Sequence, residues 1–296
     1  RLHGAGFGIM ALTALLCTTL GQVSTEASDA SLVARWGRSD PGADSNGMLV
    51  RSILKREMLV DLILRNEPSL QLPFGPGVDI YQFGVFTGGG MKGWVDGFRR
   101  RNHTFGHMWG FDSFQGLPDS DLAKHSQHRA KDKDWQAGGI NTVDQLLPVL
   151  GEKARSYAAV RAHIIDKVGL GHDRTTFVRG YYNESLPRLS RAVHGAPLQP
   201  AMLVDIDCDI YEGTIEAMEW LLSRGLLVPR TVVYYDDWQV QGEGEIKAHA
   251  ELTAKYGITW KSLKPGRIHS ISLWQAVSIE RAPDGMGGTR KYKPCC

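Results

Sequence analysis

Five aspartates lie in or directly after two short apolar segments of the sequence. They are Asp205, Asp207 and Asp209 in AMLVDIDCD, and Asp236 and Asp237 in TVVYYDDW. In an extended strand the three alternating aspartates would point to one face. Like charges at this spacing are tolerated when they share a cation, a proton or a substrate. The pattern predicts a binding or catalytic site, although Asp209 could instead cap the helix predicted after it.

The two apolar segments predict where these acids meet. Consecutive parallel strands tend to be neighbours, and ligands of open parallel sheets bind beyond the carboxyl ends of the strands. If segments 201–209 and 231–238 are neighbouring strands, their carboxylates converge at one edge of the sheet. Such an oxygen-rich site suits a hard divalent cation such as Mg²⁺.

A glycine-rich loop follows an earlier apolar segment, VDIYQFGVF at 78–86. Its glycines are Gly84, Gly88, Gly89 and Gly90. Glycines let the backbone approach a ligand, and the helix predicted next would offer free N–H groups. Asp112 ends the following apolar segment, and an acid about 20 residues beyond a glycine loop commonly binds a ribose. The spacing is not GxGxxG, so a tight strand-to-helix turn remains the alternative.

Short apolar segments alternate with segments of helical periodicity over most of the chain. The predicted strands cover 78–86, 107–114, 174–182, 201–209 and 231–238, followed by a strand pair at 258–263 and 269–279. The predicted helices cover 48–64, 91–101, 142–154, 157–168, 214–227 and 243–257. This alternation predicts an α/β fold with a mostly parallel sheet, helices on both faces and an antiparallel C-terminal strand pair.

The ends of the chain differ from this central region. Residues 4–23 contain no charged side chain, which predicts a targeting or membrane-anchoring segment, with a buried helix as the alternative. The predicted organisation is a hydrophobic targeting or anchor segment at 1–23, a polar linker at 24–46, a catalytic domain at 47–285 and a flexible tail at 286–296. The anchor would direct the chain to the secretory pathway or tether it to a membrane.

Composition excludes some function classes. The 296 residues carry 34 basic and 32 acidic side chains, and no basic run is interleaved with aromatic residues, so nucleic acid is not the expected partner. The four cysteines show no metal-ligand spacing. The sequence does not determine the oligomeric state.

Five motifs, taken in chain order, resemble the macrocin O-methyltransferase (TylF/MycF-like) family. They are YQFGVFTGGG, WGFDSFQGLP, VRGYYNESLP, VDIDCDIYEGT and VVYYDDW, and GFDSFQGLP is among the most specific. The family belongs to the class I S-adenosylmethionine-dependent methyltransferases. The resemblance covers about 78–250 and implies a Rossmann-like methyltransferase fold.

The resemblance also implies which residues bind the methyl donor. Gly84, Gly88 and Gly90 would hold the methionine end of S-adenosylmethionine, and Asp112 would hold its ribose. Further candidates for the cofactor pocket are Ser113, Tyr182 and Asn183. Gln82 stands where many relatives have an acid, and Trp238 stands where a smaller or tyrosyl residue is common, so these two positions depart from the family pattern.

For catalysis, the resemblance implies a Mg²⁺ ion held by Asp207, Asp236 and Asp237. The metal would ligate the acceptor hydroxyl and lower its pKa, and a side chain would then take the proton. Asp207 is the first candidate for this base, and His249 and His269 are the alternatives.

Three functions are compatible with these residues. The first is an S-adenosylmethionine-dependent, Mg²⁺-dependent O-methyltransferase whose acceptor is a small molecule with a sugar or polyol-like hydroxyl. The second is a glycosyltransferase that uses the DxD motif for a metal and a nucleotide sugar. The third is a non-catalytic Rossmann-like ligand-binding domain. The glycosyltransferase leaves the glycine loop and the second acid pair unexplained, and the intact acids argue against the third.

Overall fold

The structure, a computed structural model, describes residues 45–119, 136–238, 244–263 and 272–280. Its helices are α1 (Ser45–Leu70), α2 (Gly89–Arg100), α3 (Thr142–Leu150), α4 (Tyr157–Val168), α5 (Tyr182–Ser185), α6 (Tyr211–Ser223) and α7 (Gly244–Tyr256). Its strands are β1 (Asp79–Phe83), β2 (Met108–Asp112), β3 (Thr175–Arg179), β4 (Ala192–Val193), β5 (Ala196–Pro197), β6 (Ala201–Ile206), β7 (Val232–Tyr235), β8 (Ile258–Ser262) and β9 (Ser272–Ile279). Two 3₁₀ turns cover Gly151–Arg155 and Leu186–Arg188.

Seven strands form one mixed sheet in the order β3-β2-β1-β6-β7-β9-β8. Strands β3, β2, β1, β6 and β7 pair in parallel, whereas β9 runs antiparallel to both β7 and β8. This arrangement confirms the predicted α/β fold and its antiparallel C-terminal pair. The chain reverses its direction of travel across the sheet between β1 and β6, which is where open α/β sheets bind ligands.

The central strands are buried on both faces, which explains why they read as nearly continuous apolar runs. Every residue of β1 and of β6 is buried. Successive side chains enter opposite cores, so Tyr234 belongs to the core beneath α1, α2 and α4, and Tyr235 belongs to the core beneath α6 and α7. The two helical layers therefore meet the site from opposite faces of the sheet.

Helix α1 packs closely on α2 through glycines spaced four residues apart. A Cβ at Gly93 would lie 2.6 Å from the carbonyl oxygen of Ile53, and a Cβ at Gly97 would lie 2.8 Å from Val60 Cγ2. Since only glycine fits these positions without a shift, the two helix backbones approach each other closely. This contact brings the middle of α1 toward the ends of β6 and β7.

Several predicted boundaries change in the structure. Strand β6 ends at Ile206 instead of residue 209, and the hairpin of β4 and β5 was not predicted. Helix α1 begins at Ser45, inside the predicted linker at 24–46. The predicted segments 1–23 and 286–296 lie outside the described residues. Among the helices that are described, none is long and apolar enough to cross a membrane.

Candidate active site

The predicted acids of β6 and β7 come together at the carboxyl ends of these strands. One ligand atom from each of Asp207, Asp236 and Asp237 lies within 4.8 Å of the others. The register explains this, since β6 pairs in parallel with β7 and the Asp236 N–H donates to the carbonyl of Ile206 at 3.0 Å. The predicted convergence of the carboxylates is confirmed.

The prediction that three alternating aspartates share one face is correct for two of them. Asp205 and Asp207 both contact the guanidinium of Arg56. Asp209 follows the end of β6 and has a left-handed backbone with φ of 67°, so strand alternation does not extend to it. The N-cap of α6 is Ile210, so Asp209 is not the cap of that helix either.

Arg56 of α1 is a central residue of this site that the sequence interpretation missed. Its side chain is 2% exposed, and its guanidinium donates to Asp205 Oδ2 at 3.1 Å and to Asp207 Oδ2 at 2.7 Å. The same group lies 3.1 Å from Asp236 Oδ1 and 5.2 Å from the ring centre of Tyr234. A single arginine between Ile53 and Val60 on the apolar face of a predicted helix was the signal that could have revealed it.

Asp236 is held in its ionised form by its neighbours. Its Oδ1 lies 2.9 Å from Lys55 Nζ and also accepts the hydroxyl of Tyr234. Burial alone would raise the pKa of this carboxyl, but the charges of Lys55 and Arg56 and the donated hydrogen bonds outweigh it and hold the pKa well below its usual range. Asp236 is therefore a permanent anion at neutral pH.

Asp207 has the opposite electrostatic environment. Burial and the neighbouring charge of Asp236 raise the pKa of Asp207 well above its ordinary value, and the attraction of Arg56 offsets this only in part. Two carboxyls whose surroundings push their pKa values apart are suited to different roles. Without a bound cation, Asp207 takes up a proton more readily than Asp236, and Asp236 is the better fixed charge.

Glu245 of α7 approaches the acids from the other face of the sheet. Its Oε2 accepts the N–H of Asp237 at 3.1 Å, and its side chain is 2% exposed. Burial, followed by the charges of Asp237, Asp236 and Asp207, raises the pKa of Glu245 well above the usual range. Within the described part of the chain, its Oε1 is buried without a hydrogen-bond partner. The sequence interpretation placed Glu245 on a helix without assigning it to the site.

The glycine loop follows β1 and contacts the chain at the ends of β2 and β6. Gly84 has φ of 90°, and a Cβ there would lie 1.7 Å from the carbonyl oxygen of Asp207. A Cβ at Gly88, where φ is 81°, would lie 2.5 Å from Ile164 Cγ2, and one at Gly90 would lie 2.6 Å from Gln82 Nε2. Protein packing and positive φ thus favour glycine at Gly84 and Gly88 independently of any cofactor, whereas a Cβ at Gly90 would meet only the end of the Gln82 side chain. Their role in cofactor binding stays a prediction.

Asp112 ends β2 and is tied to the glycine loop. Its Oδ2 accepts the N–H groups of Val85 and Phe86, both at 2.8 Å, and its Oδ1 accepts the N–H of Phe114 at 2.6 Å. A carboxylate offers about four acceptor positions, so Oδ1 retains one. Burial raises the pKa of Asp112, although these three backbone donors lower it in part. One acceptor position of Oδ1 is thus left for a further hydroxyl, and ribose binding by Asp112 stays a prediction.

The three weaker candidates for the cofactor pocket, Ser113, Tyr182 and Asn183, lie in different environments. Ser113 Oγ donates to the carbonyl of Gly116 at 2.8 Å and so stabilises the turn after β2. Tyr182 donates to the carbonyl of Phe111 at 3.2 Å, and its ring contacts Phe83 edge-on, which places it beside the β1 and β2 ends. Asn183 is exposed on α5. Cofactor contacts by these three residues stay predictions.

His249 lies in an aromatic enclosure on the α7 side of the sheet. Its Nδ1 is 3.1 Å from the hydroxyl of Tyr235, and the rings of Trp238, Trp260 and Trp274 lie within 5.1 Å of its own ring, measured between centroids. Burial lowers the pKa of His249 to about 4, so the imidazole is neutral at pH 7. This environment favours a structural role over a catalytic one. His269 lies outside the described residues.

A pocket opens on the β2 and β3 side of Asp112. Its lining residues include Phe114, Thr142, Val143, Tyr157 and Arg179. The Arg179 guanidinium lies 4.9 Å from the ring centre of Tyr157. The pocket is thus partly apolar, with an aromatic ring and a cation in its wall.

Comparison with known proteins identifies similar sequences. The family model described as macrocin-O-methyltransferase (TylF) matches residues 75–260. A curated relative from Streptomyces olivaceus, 8-demethyl-8-(2,3-dimethoxy-alpha-L-rhamnosyl)-tetracenomycin-C 4'-O-methyltransferase, is 28% identical over 181 residues, or 61% of this chain and 60% of the relative. The chain therefore matches less than two thirds of that relative's length.

Comparison with solved structures finds methyltransferases whose fold is similar to that of this chain. The calicheamicin methyltransferase structure is 20% identical with a TM-score of 0.51, covering 93% of this chain and 99% of that one. The O-methyltransferase NovP is 21% identical with a TM-score of 0.49, covering 77% of this chain and 80% of that one. At such identities the calicheamicin enzyme supports the Rossmann-like methyltransferase fold and nothing finer.

Proposed function

Because this chain belongs to the macrocin-O-methyltransferase family, we propose that it transfers a methyl group from S-adenosylmethionine to a hydroxyl of a small molecule. The observation that carries the proposal is the meeting of three strand ends at one place. The Asp207 N–H donates to the carbonyl of Phe83 at 2.8 Å, and the Gly84 N–H donates to the carbonyl of Phe111 at 2.9 Å. Acids, glycine loop and Asp112 thus share one edge of the sheet.

The acceptor class that we propose is a sugar or polyol-like hydroxyl. It rests on the curated relative, whose name describes methylation at the 4' position of a rhamnosyl tetracenomycin, and on the family description, which is that of a macrocin methyltransferase. The proposal extends to the class of acceptor and not to one compound.

The described residues fit the cofactor. Bound S-adenosylmethionine would supply a methyl group on a sulfonium, which an acceptor oxygen displaces. Asp112 Oδ1 would accept a ribose hydroxyl, and the glycine loop would accommodate the methionine end next to the N-terminus of α2. The adenine would lie toward the pocket lined by Phe114 and Tyr157.

The carboxylates also fit a divalent cation, which we propose to be Mg²⁺. The candidate oxygens of Asp207, Asp236 and Asp237 lie within 4.8 Å of one another. Two oxygens at about 2.0–2.1 Å from Mg²⁺ lie at most about 4.2 Å apart, so the side chains would close around the ion by about half an ångström. Arg56 and Lys55 bring two positive charges to Asp205, Asp207 and Asp236, which carry three negative charges when ionised. Bound Mg²⁺ would lower the pKa of the acceptor hydroxyl.

The chain's own residues would then orient the acceptor and move one proton. As the acceptor oxygen forms its bond to the methyl carbon, its proton leaves and Asp207 accepts it, while the electrons of the broken carbon–sulfur bond stay on sulfur. Asp236 stays ionised and anchors the site through Arg56. Alignment of the reacting atoms by these rigid strand ends would supply a large share of the rate.

Calorimetric titration of the full chain with S-adenosylmethionine tests the cofactor. We expect binding to the wild type and at least about tenfold weaker binding to Asp112→Asn, since one carboxylate hydrogen bond is worth roughly 1.5–3 kcal/mol. The matched control is Asp166→Asn, because that side chain is 77% exposed on α4 and should leave affinity unchanged. Binding of a nucleotide sugar without binding of S-adenosylmethionine would refute the proposal in favour of a glycosyltransferase.

Methyl transfer is tested by mass spectrometry on a panel of rhamnosylated and other glycosylated small molecules. We expect a mass gain of one methylene on at least one sugar, which Asp236→Ala and added EDTA abolish. Turnover that persists at full rate in EDTA would exclude the metal but leave the methyltransferase intact. Tight cofactor binding without turnover on any acceptor would favour the non-catalytic ligand-binding domain.

A further inference from the structure

Lys55 of α1 lies next to Asp236, one of the proposed metal ligands. Its Nζ lies 2.9 Å from Asp236 Oδ1 and 5.6 Å from the ring centre of Tyr234. The same oxygen is contacted by Arg56 Nη1 at 3.1 Å and by the Tyr234 hydroxyl. Three donors thus converge on Asp236 Oδ1. A divalent cation bound by Asp236 would have to share this carboxylate with them.

The two cations of α1 differ in their freedom to move. Arg56 is 2% exposed and bonds three carboxylates as well as Ser52, so it cannot leave without exposing buried charge. Lys55 is 18% exposed, and its only described ion pair is the one to Asp236, which is itself 20% exposed. A long flexible side chain near solvent can withdraw at low cost, because its charge regains water.

We propose that Lys55 is a displaceable counter-cation of the site: its ammonium group pairs with Asp236 when no divalent cation is present and leaves when one binds. The inference rests on the proposed metal site. A divalent cation held by Asp207, Asp236 and Asp237 would lie only a few ångströms from Nζ, where two positive charges repel strongly in a partly buried site. Lys55 thereby sets the metal affinity, while Arg56 remains as a fixed charge.

Without a bound metal, the positive charges of Lys55 and Arg56 offset most of the negative charge of the aspartates. Asp236 keeps a cationic partner in both states, so the acids do not require metal for the chain to fold. The metal must compete with the ammonium group, which weakens its binding and makes the site reversible. Removing the ammonium should therefore strengthen metal binding, which is the opposite of what is expected for a residue that helps to hold the ion.

The test is calorimetric titration of Mg²⁺ into the full chain without cofactor, for the wild type, Lys55→Met and Lys55→Arg. We expect Lys55→Met to bind Mg²⁺ at least about tenfold more tightly. Lys55→Arg keeps the charge and should stay within a few-fold of the wild type. The control is Lys92→Met, since Lys92 makes a comparable ion pair with Asp96 on α2 and should leave the affinity unchanged.

A thermal melt without metal gives a second readout. Lys55→Met should lower the melting temperature of the metal-free protein, because Asp236 loses a partner, and this loss should disappear at saturating Mg²⁺. Equal or weaker Mg²⁺ binding in Lys55→Met would overturn the inference while leaving the metal site in place. An absence of Mg²⁺ binding in every variant, with S-adenosylmethionine still bound, would overturn both the inference and the metal part of the proposed function.

Discussion

Replacing Arg56 with methionine removes the central cation of the site at nearly constant side-chain length. The structure then leaves Asp205, which is fully buried, with Trp94 Nε1 at 2.7 Å as its remaining described side-chain donor. Asp207 loses its 2.7 Å bond, and Asp236 keeps Lys55 and Tyr234. The substitution therefore strands one deeply buried charge and weakens the support of two partly exposed ones.

The expected cost follows from that burial. Removing one partner of a buried ion pair typically costs about 3–5 kcal/mol, mainly because the other charge stays buried without compensation. Asp205 is fully buried, and the middle of that range gives an expected fall of about 4 kcal/mol in the free energy of unfolding. In the double variant Arg56→Met with Asp205→Asn, no full charge is left at position 205, and the amide oxygen can still accept from Trp94. We expect it to recover at least about 2 kcal/mol.

The assay is urea unfolding at pH 7, followed by tryptophan fluorescence and far-ultraviolet circular dichroism. The two probes also test whether unfolding is two-state. The matched control is Arg100→Met, because Arg100 is 53% exposed and pairs with Glu57 at the surface. Surface pairs are worth about 0–1 kcal/mol. A loss below about 1 kcal/mol for Arg56→Met, or no recovery in the double variant, would refute the assignment of Arg56 as the buried counter-charge.

Three further predictions concern other parts of the framework. Gly84→Ala should destabilise the chain by at least about 3 kcal/mol, as in a severe core clash, whereas Gly75→Ala should cost only about 1 kcal/mol. Both have positive φ, but only the first places a Cβ 1.7 Å from a backbone oxygen, so equal losses in urea would contradict the steric argument. Gly97→Ala should loosen the packing of α1 on α2 and lower the free energy of unfolding by about 1–3 kcal/mol, because a Cβ there would lie 2.8 Å from a valine of α1; unchanged stability in urea would contradict that close packing. The folded pKa of His249, about 4, lies below the unfolded value, so the unfolded chain binds more protons between about pH 6.5 and pH 4, and the histidine's contribution is lost as the pH falls through that window. Between pH 7 and pH 5 this loss amounts to about 2 kcal/mol, so His249→Asn should flatten the stability profile by about that amount, and an unchanged profile would show that folding does not lower the pKa of His249.

Much of the fold was predictable from periodicity. The strands that became β1, β2, β3, β6 and β7 were apolar runs because they are buried on both faces, and runs of that kind report a parallel sheet directly. The boundaries were less certain: strand β6 ends at Ile206, where the backbone turns toward α6, although the alternating aspartates suggested a longer strand. The short hairpin of β4 and β5 has two-residue strands, too short for any alternation to reveal.

The sequence predicted the acidic residues of the site but did not predict its two basic residues. Asp207, Asp236 and Asp237 follow strands, so their place at one edge of the sheet is a consequence of strand order. Lys55 and Arg56 lie more than 140 residues before the acids that they contact, on a helix outside the sheet. No local spacing connects the two groups, because the contact depends on how closely one helix can approach another.

The sequence by itself determined the α/β class, the acids at the ends of β6 and β7, and the resemblance to a methyltransferase family, because these depend on residue types at short and regular spacing. Only the tertiary structure decided that two cations of α1 face those acids, that Glu245 lies behind them, and that His249 is enclosed by aromatic rings. It also gave Gly84 and Gly88 a packing role. These features arise from close contacts between segments distant in the chain, where small side chains let backbones approach and burial changes the charge that a carboxyl group or an imidazole carries.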